Sequence, residues 1–430
     1  VDITADQFSH DIDYNSGRFC GFLTKEPSKR SKILIDRIVK DNNFKHLYYG
    51  ESIILFIGYK EAVSLKKNDL KKISDSTNEH TFGDGVNELT TKGGVDKKYV
   101  FVNDIQLTEA WQTITNFEGI IDGNGFSLEY AENITNNEIL VSFNSANTNP
   151  KIIIRNLTLV NPHLEGMSGY TGVIAGVLRG PSSMRILNVH ITGAYIKGGS
   201  QVGGFIGRNR ENLTISQSSF TGVITGSGQT IGGFVGATIE KDLIIDSSFS
   251  SGTLYSGISV YDPNNAIGGL IGANFSSSTS NVFNSYSLAR VIGMTKVGGL
   301  IGNSSNGNFG SSYFAGQLTW DAPENVESYG PIFAYIGNSN RNFSLIGDTL
   351  YYYDGEIKTM SDGGTAEGVS RIQNSDLNQD TISSKFNDWS ISKFAKHNNE
   401  TWLLGDNLEN ITLPWLSWQE EPLPEQIINP

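Results

Sequence analysis

The stretch Val202-Gly203-Gly204-Phe205-Ile206-Gly207 is one of four near-identical copies in this chain of 430 residues. The others are Ile231-Gly232-Gly233-Phe234-Val235-Gly236, Ile267-Gly268-Gly269-Leu270-Ile271-Gly272 and Val297-Gly298-Gly299-Leu300-Ile301-Gly302, and weaker copies flank them at 171–176 and 329–337. The first glycines stand at 172, 203, 232, 268, 298 and 330, at intervals of 31, 29, 36, 30 and 32 residues. A near-constant period in this range marks a solenoid, in which each repeat stacks on its neighbours because it cannot bury its apolar face alone. Repetition also says what the phrase is for. A catalytic phrase is needed once, a packing phrase once per coil.

A second phrase follows each copy: Ser218-Ser219-Phe220, Ser247-Ser248-Phe249, Asn284-Ser285-Tyr286 and Ser311-Ser312-Tyr313. Together the phrases divide a repeat into roughly three short strands, one turn of a three-faced β-helix. Phe205, Phe234, Leu270 and Leu300 are expected to stack in one inward column, and Phe220, Phe249, Tyr286 and Tyr313 in another. The paired glycines would serve either a positive φ or a close backbone approach that a Cβ obstructs. The expected fold class is mainly β, a right-handed parallel β-helix preceded by a small α+β N-terminal domain.

Three segments follow from this reading. Residues 1–95 read as the α+β domain, with an amphipathic helix at 31–40, a buried strand at 52–59, a second short helix at 66–73 and a polar linker at 74–96. Residues 96–360 read as the repeat array, entered through the alternating strand at 99–107. Residues 361–430 hold Trp389, Trp402, Trp415 and Trp418, four of the six tryptophans, and are expected to cap the open end of the solenoid.

Charge and composition narrow the function classes. Forty-eight glycines against 11 prolines suit short strands and tight turns. The formal charge is −13; residues 1–98 hold 16 Lys+Arg and 15 Asp+Glu, so the remainder, with 16 and 30, is acidic. An acidic array without basic stripes argues against nucleic acid and against an anionic membrane surface as partners. No apolar run is long enough for membrane insertion. A single cysteine, Cys20, excludes an intrachain disulfide framework and a multi-cysteine zinc site. The opening at Val1, without the segments of a signal peptide, fits a mature secreted chain or a trimmed one. Eight Asn-X-Ser/Thr sequons, among them Asn156, Asn212, Asn274 and Asn303, would matter only in a secreting eukaryote.

The two phrases, with the entry Phe117-Glu118-Gly119-Ile120-Ile121-Asp122-Gly123-Asn124-Gly125, resemble the GLUG-motif repeat proteins. That family includes filamentous-haemagglutinin-like surface adhesins of bacteria and non-catalytic parts of immunoglobulin A peptidases. The ending Leu413-Pro414-Trp415-Leu416-Ser417-Trp418 is similar to the segment that closes such arrays. The resemblance covers about residues 97–420 and implies a secreted or cell-surface location. The zinc-protease phrase His-Glu-X-X-His does not occur, so peptidase activity is not carried over.

Candidate chemistry is sparse. Glycoside hydrolysis needs two carboxylates across a groove and polysaccharide elimination needs a base beside a stabilising charge, for which Glu118, Asp122, Asp246, Asp262, Asp321 and Glu324 are the candidates. Spacing in sequence does not establish that any two of them share a face, so no catalytic residue is assigned. Six histidines show no metal-ligand spacing, and neither metal nor cofactor is expected. Aromatic residues outside the stacked columns are better binding candidates: Tyr255 and Tyr261 in the longest repeat, Trp320, and Tyr351, Tyr352 and Tyr353. The sequence thus favours a secreted or cell-surface adhesin, a binding module for an extracellular glycan or a host or neighbour-cell surface protein. The alternatives are a polysaccharide lyase or glycoside hydrolase working in a groove, and a structural subunit of a surface filament or layer that self-associates through residues 1–95.

Overall fold

The computed structural model describes most of residues 98–320 and 411–419, with short strand segments on either side, the first beginning at residue 20 and the last ending at residue 428. A full coil carries four strands, as in Gln201–Gly203, Ile206–Asn209, Asn212–Ser216 and Ser219–Gly226. Each pairs in parallel with its counterpart one coil on, Thr230–Gly232, Val235–Thr238, Leu243–Asp246 and Phe249–Ser256. The molecule is therefore the expected parallel β-helix, with one strand per coil more than the sequence suggests. The glycine phrase is two strands, because Gly204 and Phe205 turn the chain and send Val202 and Ile206 into different sheets. These two strands build two narrow six-stranded sheets, while the other two share one broad sheet. Among the described residues no helix occurs.

The broad sheet bends at a corner occupied in successive coils by Asn156, Asn188, Gln217, Ser247, Asn284 and Ser311, each with φ between 43° and 53°. Asparagine tolerates this left-handed conformation better than most residues. None of the phrase glycines adopts it. They serve close approach instead: a Cβ on Gly232 would overlap the Val235 carbonyl oxygen, and one on Gly233 that of Gly269 in the next coil. A Cβ on Gly236 would lie 2.7 Å from the Val202 amide nitrogen, so the third glycine brings the two narrow sheets into backbone contact. Sheets separated by side chains stand about 10 Å apart.

Phe205, Phe234, Leu270 and Leu300 form the expected inward column, all buried, with the two phenylalanine rings 4.8 Å apart. Burial of each stabilises the fold by about 1.5–3 kcal/mol. The second column differs from expectation. Phe249, Tyr286 and Tyr313 are in register and stack at 4.9 Å, but their partner in the preceding coil is Ser219, whereas Phe220 pairs with Ser250. The coils align on the second residue of the corner, not on the aromatic ring. Val189, Ser218, Ser248 and Ser285 donate their backbone N–H to the hydroxyls of Ser218, Ser248, Ser285 and Ser312 at 3.1–3.2 Å. Each of those hydroxyls donates to the carbonyl two residues earlier. One residue of offset turns a strand side chain to the opposite face. Phe220 accordingly points into the core, and Phe249, Tyr286 and Tyr313 point outward.

Residues 413–419 cover that outward row. Trp418 stacks 5.7 Å from Phe249, lies 5.0 Å from His190, and donates its indole N–H to the Ser247 carbonyl at 2.9 Å. Tyr286 donates its hydroxyl to Gln419 Oε1 at 2.9 Å and Tyr313 to the Pro414 carbonyl at 2.8 Å, with Leu413 and Leu416 buried beneath.

At the N-terminal side, Cys20–Leu23 pairs antiparallel with Ile53–Phe56, inside the segment read as a strand. Ala62–Leu65 pairs in parallel with Lys98–Phe101, so stacking begins within residues 1–95. It continues beyond residue 360, where Leu350–Tyr353 pairs with Val369–Ile372. The expected helices at 31–40 and 66–73 and the linker lie outside the described residues.

Candidate functional site

Three successive strands of the broad sheet end in one pattern: Tyr195-Ile196-Lys197-Gly198, Val223-Ile224-Thr225-Gly226 and Thr253-Leu254-Tyr255-Ser256. Ile196, Ile224 and Leu254 are buried, so strand alternation sends Lys197, Thr225 and Tyr255 outward as one row in register. A β-bulge between Ile191 and Ala194, with Gly193 at φ 64°, bends the first of these strands just before the row. The row floors a groove of about 740 Å³ lined by Glu165, Tyr195, Lys197, Thr225, Ser227 and Tyr255. Tyr255 is 43 % exposed, more than any other large hydrophobic side chain among the described residues. Gly257 also lines the groove.

Glu165 follows the short strand His163–Leu164, whose residues pair with Tyr195 and Ile196. Lys197 Nζ donates to Glu165 Oε1 at 2.8 Å, and His163 Nε2 lies 3.6 Å from Glu165 Oε2 with its ring 4.7 Å from that of Tyr195. The hydrogen bond and charge of Lys197 hold the Glu165 carboxyl below its ordinary pKa, and the same contact raises that of Lys197. Both groups are well exposed, so the pair adds little to stability. What it supplies is a fixed acceptor beside a fixed donor, both still open to solvent. Thr225 Oγ1 lies in the floor without a hydrogen-bond partner.

Of the six aromatic residues read as binding candidates, Tyr255 lines this groove. Trp320 ends the strand Gln317–Trp320 opposite Gly293, Tyr351 and Tyr352 continue the registers of Tyr313 and Phe314, and Tyr353 pairs with Ile372. Tyr261 lies outside the described residues, as do Glu118, Asp321 and Glu324.

The remaining candidate carboxylates serve the fold. Asp122 is 4 % exposed, 2.9 Å from the Arg155 guanidinium, and accepts from the Asn124 amide and Asn156 Nδ2. It heads a ladder in which Asn188 Nδ2 donates to Asn156 Oδ1 and Asn188 Oδ1 meets His190 Nε2 at 3.0 Å. Asp246 accepts from Asn284 Nδ2, and Asp262 closes its own turn at Asn264. Among the described residues no group of three His, Cys, Asp or Glu is placed to hold a metal ion. Of the sequons, Asn274 and Asn303 are buried and Asn156 is engaged in the ladder, whereas Asn212 is exposed.

Sequence reading missed Glu165, Tyr195, Lys197 and Thr225. The signal was present in the recurrence of an outward residue directly after a buried Ile or Leu at the end of each long strand.

No protein-family model matches the chain, and no curated protein matches it either. Among solved structures it is similar to a Bacteroides ovatus protein named as a candidate immunoglobulin A1 protease, at 17% identity over 76% of this chain and 88% of that one, with a TM-score of 0.41. A second, named IgA1 Protease, is 15% identical over 82% of this chain and 26% of that chain, with a TM-score of 0.45. The chain thus spans about a quarter of the latter's length. No activity is taken from either.

Proposed function

We propose that this chain is a secreted or cell-surface binding module of the adhesin type, with the Tyr255 groove as its contact surface. The observation that carries the reading is the exposed ring of Tyr255 on a rigid sheet, beside the solvent-open Glu165–Lys197 pair. Rings on backbone fixed by ladders on both sides lose little freedom on binding, and aromatic anchors carry much of the energy at contact surfaces. The grouping with GLUG-motif repeat proteins belongs to the same reading, since every residue of the glycine phrase has a packing task and none is left for catalysis. An enzyme is less well supported. Hydrolysis by two carboxylates needs a second acid near Glu165, and Asp122 and Asp246 are committed to corner ladders.

The test is a binding screen of the intact chain against immobilised glycans and cell-surface proteins, repeated with Tyr255→Ala. Retention of at least one class, weakened about tenfold or more by the substitution, is expected, as for an aromatic anchor worth over 1.4 kcal/mol. Ligands held equally well by both forms, or release of soluble sugar on incubation, would overturn the proposal.

A further inference from the structure

We infer that the ligand of the Tyr255 groove is an uncharged, extended carbohydrate chain lying across the strands, so that successive sugars meet successive coils. The inference rests on the binding role proposed for the groove and adds the chemistry and direction of what it takes.

Direction comes from register. Lys197, Thr225 and Tyr255 are consecutive members of one row, each one coil further along the solenoid, and Tyr195 starts a parallel row two residues away. Neighbouring strands lie about 4.8 Å apart, so Tyr195 and Tyr255 stand two coils, roughly 10 Å, apart along the axis. A ligand that uses both ends of the groove must run along the axis over at least three coils. That is a task for a linear oligomer more than for a single ring.

Chemistry comes from the charge balance and the kind of donors. The groove holds one cation and one anion, and they face each other at 2.8 Å, so the site offers no net charge to a polyanion or polycation. Around it residues 99–360 hold 12 basic and 19 acidic residues, a field that disfavours uronates, sialylated chains and sulfated chains. A lysine ammonium has three donors and a carboxylate about four acceptor sites, of which the mutual bond uses one each. What remains is a donor and an acceptor side by side, which suits the neighbouring hydroxyls of a sugar ring. Ser227 adds a further hydroxyl, and the phenol ring of Tyr255 supplies the apolar surface that the C–H face of a pyranose covers.

The experiment titrates the full chain, by calorimetry, with hexamers and dimers of glucose, mannose and N-acetylglucosamine and with a galacturonic acid hexamer, each at low and high salt. At least one neutral hexamer should bind at least tenfold more tightly than its dimer, with less than a twofold change between roughly 50 and 500 mM salt, because no ion pair forms with the ligand. Tyr255→Ala should weaken it about tenfold and Tyr255→Phe should restore most of the loss, with the circular dichroism spectrum unchanged in both. Preference for the galacturonate hexamer with strong salt dependence would overturn the ligand class while leaving a Tyr255-dependent site intact. Absence of binding to every oligosaccharide, with Tyr255-dependent capture of a protein in the screen above, would do the same in favour of a protein partner. Neutral-chain binding that ignores Tyr255 would remove the groove itself and the proposed function with it.

Discussion

The strands Ser183–Gly198, Ser219–Gly226 and Phe249–Ser256 carry two outward rows, and the rows have opposite fates. At one end His190, Ser219 and Phe249 lie under residues 413–419; about six residues and roughly 20 Å along, Lys197, Thr225 and Tyr255 face an open groove. Phe249 is 5 % exposed and Tyr255 43 %. Backbone and face are the same, so the difference lies in what the rest of the chain offers each row. Residues 413–419 bring an indole over Phe249 and polar atoms to the hydroxyls of Tyr286 and Tyr313. Over Tyr255 the described chain supplies no such cover. An aromatic residue on the outer face of a solenoid is therefore part of the fold where its own chain matches it, and available to a ligand where it does not.

The sharpest way to break this comparison is Trp418→Ala. The substitution removes the ring over Phe249 and His190 and the hydrogen bond to Ser247, and a cost of about 3 kcal/mol is expected, the lower end for truncating a large aromatic. The measurement is the denaturant midpoint, with hydrogen exchange at Ser247 and Phe249 to locate the loss. A midpoint equal to that of the unsubstituted chain would mean that the cover is decoration and that both rows are open.

A smaller effect comes from acid. His190 is satisfied as a neutral ring, with Nε2–H donating to Asn188 Oδ1 and Nδ1 accepting from the Ser219 hydroxyl at 2.9 Å, and burial lowers its pKa from 6.5 to about 4. A depressed histidine pKa means that the unfolded chain takes up the proton first. Its contribution is complete above pH 6.5, falls as the pH drops, and is lost once the pH passes below about 4. At pH 5 the loss is about 2 kcal/mol, from 1.36 kcal/mol per pH unit. Thermal melts at pH 7 and pH 5 should diverge for the natural chain and much less for His190→Gln. The Glu165–Lys197 pair should keep both charges over this range, because Glu165 is shifted below 4.5 and Lys197 above 10.5.

How much of this was legible in the sequence follows from what each signal encodes. The glycine phrase announces stacking because three glycines must recur wherever backbones touch, and the inward Phe205 and Phe234 column follows from the same period. The split of the phrase into two strands was not legible, since Gly204 and Phe205 turn without a positive φ or a proline. Nor was the true register at Phe220, where aligning on rings hides that the serine hydroxyls of 218, 248, 285 and 312 set the coil. The covering of Phe249 by Trp418 joins residues 169 positions apart, a contact that no local pattern reports. Tyr255 was legible as an aromatic outside the columns. Its partners Lys197 and Glu165 lie two and three coils earlier, and only the register at Tyr195 and Ile196 brings them together.

The smallest expected effect is the one on which the open half of the comparison depends. Tyr255→Ala should change the denaturant midpoint by no more than about 0.5 kcal/mol, the range for exposed substitutions that break no cap, pair or core contact. Leu254 stays buried beside it, and the pairing of residue 255 with Thr225 and Ile292 runs through the backbone, which the substitution leaves in place. Compared with Trp418→Ala in the same buffer, the ratio of the two losses measures how differently one chain treats two rings on one sheet. If Tyr255→Ala cost as much as Trp418→Ala, Tyr255 would be a second covered residue, held by chain beyond the described segments, and the groove would be an interior seam with no room for a ligand.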